Sequence, residues 1–252
     1  MVLKWLRKIL LAVIILILWF VASRYTNPLF LPKPEMVWFD LVTLIQNGML
    51  QKGMLASFGR ITIATLITSV ISVPLGLLVV NHIWLDRMLT PITAAARYIP
   101  ITVASPLLIL WLGIDETMKI AFLTLATLFF FLPTVVMTVK ETSQELLDTA
   151  YTIGMKPTQV MLKVLLPNSL PVICESFLMM YGIGWNYVII VETFNAVSGL
   201  GYIINLGSIR GRTDLVFAAL GVILLMSVVF DKTGKYLIKK AFPWKYARAV
   251  ED

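Results

Sequence analysis

Two residue types that usually carry site chemistry are almost missing: the 252 residues include one cysteine, Cys174, and one histidine, His82. A lone cysteine excludes an intrachain disulfide framework and any metal cluster held by several thiolates. A lone histidine excludes paired-His metal sites and leaves little scope for imidazole acid–base chemistry. Charge is scarce as well, at 14% of residues, against roughly 25% in soluble globular chains. No G-x-x-x-x-G-K-[ST] loop is present to hold a nucleotide, and neither G-x-S-x-G nor H-E-x-x-H occurs. Nucleotide, serine-hydrolase and zinc-protease chemistry therefore lose their usual signatures. The first and last halves show no internal repeat, which argues against an ATP-independent transporter built on paired broken helices.

What is abundant is apolar. Hydrophobic residues make up 59% of the chain, and the mean hydropathy is +0.87. One soluble core could not hide so much apolar side chain, so the solvent is a bilayer. Residues 9–23, 61–80, 120–139, 176–191 and 215–230 lack Asp, Glu, Lys and Arg, and two of these runs are 20 residues long. That is the length a helix needs to cross a ~30 Å hydrocarbon layer. Residues 89–114 are apolar except for Arg97 and contain Pro91, Pro100 and Pro106. Proline removes a backbone donor that lipid cannot replace, so this stretch reads as a broken span. The expectation is an all-α protein with six transmembrane helices.

Basic residues collect on the cytoplasmic side of short loops. An N-terminus placed inside puts 13 of the 21 Lys and Arg residues in the cytoplasm, from Lys4, Arg7 and Lys8 to Lys245 and Arg248, and predicts both termini there. Anionic headgroups account for the net charge of +7 without any nucleic acid. The first segment also has features of a secretory signal, but Trp19 and Phe20 suit an interfacial anchor, so it is read as retained. After Pro28, Pro32 and Pro34, residues 35–46 interleave Met36, Val37, Phe39, Leu41, Val42, Leu44 and Ile45 with Glu35, Asp40 and Gln46. This is an amphipathic helix, fitted either to the outer membrane surface or to other protein.

One loop is polar enough to need its own account. Residues 140–167 separate the fourth and fifth spans. A short helix through Leu146, Leu147 and Ala150 is predicted to stop at Gly154, and Pro157 to open a second one. Small residues at Thr149, Ala150 and Gly154 would let another protein approach the backbone.

The run Asp148-Thr149-Ala150, three residues, Gly154, nine residues, then Val164-Leu165-Leu166-Pro167 resembles the E-A-A-x3-G-x9-I-x-L-P signature of importer-type ABC transporter permeases. Asp148, Thr149 and Val164 depart mildly from it. Further short matches resemble the nitrate, sulfonate, taurine and bicarbonate branch: Leu31-Pro32-Lys33-Pro34, Ser57-Phe58-Gly59-Arg60, Ile99-Pro100, Pro106-Leu107, Leu110-Trp111-Leu112-Gly113, and Glu192 followed by Ser198-Gly199-Leu200-Gly201. Where many members carry Gly-Leu-Arg early in the fifth span, this chain has Glu175 and then Ser176-Phe177-Leu178.

The resemblance implies a type I importer (MetI-like) permease core in a bacterial-type inner membrane. It implies a transport subunit rather than an enzyme, a homodimer or a dimer with a related permease, two cytoplasmic ATPase subunits that hold ATP and magnesium, and an extracytoplasmic solute-binding protein. Residues Asp148, Thr149, Ala150, Gly154, Val164, Leu166 and Pro167 would form the coupling helix region that meets the ATPase. The expected organisation is an N-terminal transmembrane helix over 1–24, an extracytoplasmic loop with the amphipathic helix over 25–55, a permease core over 56–242 with the coupling helix at 145–160, and a cytoplasmic tail over 243–252.

Ionisable or polar groups inside spans are candidates for the translocation path, because burying a charge there costs roughly 2.5–3.5 kcal/mol. Arg97 would favour an anion or be held by a carboxylate such as Glu175. Asn186 lines the path or bonds a neighbouring helix. Arg60 and Glu192, at outer span ends, are expected to snorkel to water. Gly182 and Gly184 offer a thin face for close packing. A small anionic solute of the nitrate, sulfonate, taurine or bicarbonate type is expected, with a neutral or cationic vitamin or pyrimidine precursor as the alternative.

Overall fold

The computed structural model describes residues 2–194 and 196–246. Arg248 and the rest of the tail beyond 246 lie outside the described residues. Every described regular element is helical. In order these are α1 (Val2–Tyr25), α2 (Pro34–Gln46), α3 (Met49–Asn81), α4 (Ile83–Ala96), a 3-10 turn (Ile101–Ala104), α5 (Ser105–Leu112), α6 (Glu116–Lys140), α7 (Gln144–Thr152), α8 (Pro157–Val160), a π turn (Met161–Leu165), α9 (Leu166–Glu192), α10 (Leu200–Ile209), α11 (Thr213–Ala241) and α12 (Pro243–Tyr246).

Among the described residues four helices are long and apolar enough to cross a membrane: α3, α6, the continuous run Pro157–Glu192, and α11. The pair Ile83–Ala96 and Ile101–Leu112 passes the same test jointly but bends by 93°. Pro100 lies at the break and Pro106 in the first turn of α5, and the bend makes the pair a broken span or a re-entrant loop. Leu10–Tyr25 is a shorter apolar helix. Among the described residues four helices, or five with the bent pair, are thus long and apolar enough to span, where the sequence predicts six.

The chain divides into two compact units, Met1–Ser57 with Ala196–Leu225, and Phe58–Asn195 with Met226–Asp252. In the smaller unit the Trp19 indole N–H donates to the Pro32 carbonyl at 3.1 Å and its ring stacks on Phe217. The Ser57 hydroxyl accepts the Leu200 N–H at 2.8 Å, closing the open start of α10 behind Gly199. Trp38 and Phe39 are exposed and Asp40 is buried at 4% exposure, because Arg212 donates to both Asp40 oxygens at 2.6 and 2.7 Å and also reaches Asp214.

In the larger unit small and hydroxylated residues let the spans approach closely, as apolar helices in lipid require. A Cβ on Gly76 would come within 2.7 Å of Val135, and one on Gly184 within 2.7 Å of Ile61. Gly182, by contrast, faces open space, so only one of the two glycines serves packing here. The Thr68 and Thr127 hydroxyls lie 2.7 Å apart and join α3 to α6.

Candidate functional site

The polar loop after α6 folds as an elbow. α7 ends in a glycine motif in which the Met155 N–H donates to the Ala150 carbonyl at 3.1 Å and the Gly154 N–H to Tyr151 at 2.9 Å. Gly154 sits at φ +81°, where any other residue carries a Cβ clash of roughly 1–2 kcal/mol. Pro157 then opens α8, and the Gln159 side chain accepts the Lys156 N–H at 2.8 Å. From there the helix does not stop: α8, the π turn and α9 form one run of 36 residues. The π turn falls just ahead of Pro167, whose ring would otherwise press on the carbonyl four residues back. The Ser169 hydroxyl takes up the Leu165 carbonyl at 2.5 Å.

One face of this elbow is core. Ala150, Val160 and Leu165 are buried in a cluster with Leu77, Phe131, Val135, Val139, Ile173 and Met180, and Leu147, Met155, Val164 and Leu166 pack against it. The expectation that Ala150 offers its backbone to another protein is therefore corrected: at 4% exposure it is occupied by the chain's own spans. The other face is open. Asp148, Thr149, Gly154 and Pro167 are exposed, and so are Leu146, Tyr151, Leu162 and Ile153, the last at 72%. Nothing lies within 4 Å of a Cβ built on Gly154.

At the opposite end of α9 lies a buried ion cluster. The Arg60 Nε and one terminal nitrogen donate to the two Glu116 oxygens at 2.6 Å each, and the other nitrogen donates to Glu192 at 2.6 Å. Lys119 reaches Glu116 at 3.0 Å. Arg60 is 5% exposed and Glu192 0%, so the expectation that they snorkel to water is corrected. Two cations and two carboxylates balance, which is how charges persist out of water. The cluster joins α3, α6 and α9. Two stretches quoted for the family resemblance thus meet in space twice, through Ser57 with Leu200 and through Arg60 with Glu192. Sequence reasoning missed Glu116 and Lys119; their i,i+3 spacing at the start of a span was the available signal.

The remaining candidates stand apart. Arg97 ends α4 and is exposed, with its Nε 3.4 Å from the Phe129 carbonyl. That carbonyl is the one Pro133, four residues on in α6, cannot serve. Among the described residues no carboxylate pairs with Arg97. Glu175 instead accepts from Lys245 at 3.1 Å and from the Tyr246 hydroxyl, so the Arg97–Glu175 pairing is not formed. Burial and the Glu175 carboxylate push the Tyr246 phenol up to about 12. Asn186 is exposed. Asp86 accepts Lys140 through both oxygens at 2.7 Å, a contact between α4 and α6 that the sequence reading did not foresee. His82 is exposed between α3 and α4, and Cys174 is part-buried. Among the described residues no three His, Cys, Asp or Glu side chains group as metal ligands.

Comparison with known proteins fits this architecture. Residues 70–242 match the family described as binding-protein-dependent transport system inner membrane component. The chain is 29% identical over 240 residues to the taurine transport system permease protein TauC of Escherichia coli (strain K12), covering 93% of this chain and 87% of that protein. It is 30% identical to the putative aliphatic sulfonates transport permease protein SsuC of the same organism, covering 99% of this chain and 97% of that one. An inward-facing structure of the MetNI methionine ABC transporter aligns with a TM-score of 0.69 at 21% identity, covering 76% of this chain and 95% of that chain, which establishes the fold. The chain therefore belongs to the binding-protein-dependent transport system inner membrane component family and is the membrane permease subunit of an ABC importer.

Proposed function

We propose that this permease carries a small organic anion of the sulfonate class inward and is driven through the 144–167 elbow by a separate ATPase that holds ATP and magnesium. The carrying observation is the two-faced elbow, buried on the spans through Ala150, Val160 and Leu165 and open through Leu146, Tyr151 and Ile153. Exposed apolar groups on a polar loop fit a partner surface, and the unbroken helix from Pro157 to Glu192 gives a push on the elbow a direct route into a span. The excess of Lys and Arg on that side supports an N-in, C-in orientation in an inner membrane, with a second permease, identical or related, completing the path and an extracytoplasmic protein delivering the solute. The solute class rests on the similarity to the taurine and aliphatic-sulfonate permeases and on Arg97, a cation with no carboxylate partner among the described residues.

The test is isolation in mild detergent together with the ATPase subunit. Ile153→Asp places a charge on the open face without touching the buried one, so it should reduce the ATPase recovered at least tenfold while the permease keeps its melting temperature. Full recovery with this variant would move the motor contact elsewhere. Uptake of labelled taurine or ethanesulfonate into vesicles tests the solute class, and exclusive uptake of a neutral or cationic solute would overturn it.

A further inference from the structure

Between α4 and α6 in the larger unit lies a cavity of about 170 Å³. Arg97 and Lys140 line it, together with Thr93, Leu89, Leu132 and Val136. α4 and α6 run antiparallel, with Asp86 beside Lys140 and Arg97 beside Phe129. The two cations therefore enter from opposite ends: Asp86, the partner of Lys140, and Arg97 lie eleven residues apart, or roughly 16 Å of helix backbone at 1.5 Å per residue. They are not equivalent. Lys140 is neutralised by both Asp86 oxygens at 2.7 Å, and Asp86 is itself fixed by the Thr90 hydroxyl at 2.6 Å. Arg97 spends one donor on the Phe129 carbonyl at 3.4 Å, and a guanidinium has five in a fork that matches an oxyanion. No carboxylate lines the cavity among the described residues. A guanidinium with donors to spare beside apolar walls attracts negative charge.

We propose that this cavity is a binding site for a short-chain organic anion. Arg97 takes the oxyanion head, Leu89, Leu132 and Val136 take the apolar chain, and the Asp86–Lys140 pair closes the elbow-side end as a latch. The volume falls below the roughly 300 Å³ of a drug-sized pocket, so the site selects compact solutes. Asp86 acts as a positioning residue: it neutralises Lys140, and without it that second cation would add to the positive potential that holds the anion on Arg97. The inference rests on the reading of the chain as a path for a small organic anion, and it adds the site, the latch and two residues that act through it.

The experiment measures equilibrium binding of labelled ethanesulfonate to the full chain, in the assembly in which it isolates, in phosphatidylcholine nanodiscs. Saturable binding is expected. Arg97→Gln should weaken it at least tenfold, with Arg97→Lys recovering part of the loss. Asp86→Asn should tighten binding two- to fivefold by releasing Lys140, and Asp86→Asn combined with Lys140→Gln should return it to the wild-type value. Unchanged binding in Arg97→Gln, or weaker binding in Asp86→Asn, overturns the proposal. Loss of ethanesulfonate binding when phosphatidylglycerol replaces phosphatidylcholine overturns it in favour of a lipid phosphate as occupant. Binding is scored without ATP hydrolysis, so a failed site and a failed importer reading are separable: the first leaves ATPase co-isolation and solute uptake intact, and the second does not.

Discussion

Replacing Glu192 with leucine removes one carboxylate from a set of two cations and two carboxylates and takes one charged partner from Arg60, at 5% exposure. Breaking a buried pair by deleting one partner costs about 3–5 kcal/mol. Glu116 still holds two of the Arg60 nitrogens, and its side chain is 55% exposed, so solvent screens the remainder. The lower end, about 3 kcal/mol, is therefore expected. For a chain of this size that corresponds to roughly 6–12 °C in melting temperature. The double variant Arg60→Met with Glu192→Leu should behave differently. It leaves Glu116 paired with Lys119, keeps the region neutral and puts apolar atoms where ions were, so its melting temperature should lie within about 3 °C of wild type. Thermal unfolding in detergent reads both. A double variant as unstable as Glu192→Leu and Arg60→Met summed would refute this reasoning. Uptake separates structure from transport: a stable double variant that no longer imports would place Arg60 or Glu192 on the solute path.

Gly154→Val forces a β-branched residue into the left-handed region, and roughly 1–2 kcal/mol of local strain should loosen the cap between α7 and α8. The expected readout is about a tenfold loss of co-isolated ATPase with the melting temperature nearly unchanged, and unaltered recovery would show that the open face tolerates a reshaped elbow. At the other cluster, burial raises the Asp40 carboxyl above its ordinary value against the opposing pull of Arg212. A folded-state value raised in this way gives stability that is present at low pH and lost as pH rises through it. Thermal unfolding of wild type should therefore lose ground relative to Asp40→Asn as pH rises above the ordinary carboxylate value of about 4. A difference that does not change with pH would remove Asp40 as its source.

The elbow and the break between α4 and α5 were legible because local rules decide them. Gly154 stops a helix wherever its φ is positive, Pro157 starts one, and prolines at 91, 100 and 106 cannot all sit in one straight helix. The charged residues were misread because their state depends on partners far away in sequence. Arg60 at a span end looked free to reach water, yet Glu192 lies 132 positions downstream and closes over it. Asp40 looked like the wet face of an amphipathic helix, and Arg212, 172 positions away, turns it inward. Arg97 was a candidate for pairing with Glu175, but the proline in α6 gave it a carbonyl and the C-terminal Lys245 and Tyr246 took the glutamate. Periodicity reports which residues are apolar, not which distant charge will neutralise a polar one.

What fixes the angle at which the elbow leaves α9 is a choice between two causes, and their magnitudes differ. Pro167 and the π turn ahead of it are the covalent cause. Replacing Pro167 with alanine restores an N–H and relieves at most about 3 kcal/mol of helix penalty. If that relief let the π turn collapse into an α turn, the elbow would rotate by one residue, about 100°. The rotation would draw Val160 and Leu165, now 1% and 4% exposed, out of their cluster. Each such side chain is worth about 1.5–3 kcal/mol when buried, so the two together resist with about 3–6 kcal/mol, and Ala150 moves with them. Packing exceeds the backbone term. Pro167→Ala should accordingly keep the elbow in place, with ATPase co-isolation and solute uptake within about twofold of wild type, whereas Val160→Ala should weaken both through a cavity under the joint. Intact unfolding behaviour with lost co-isolation in Pro167→Ala would show the reverse, that the proline alone aims the elbow.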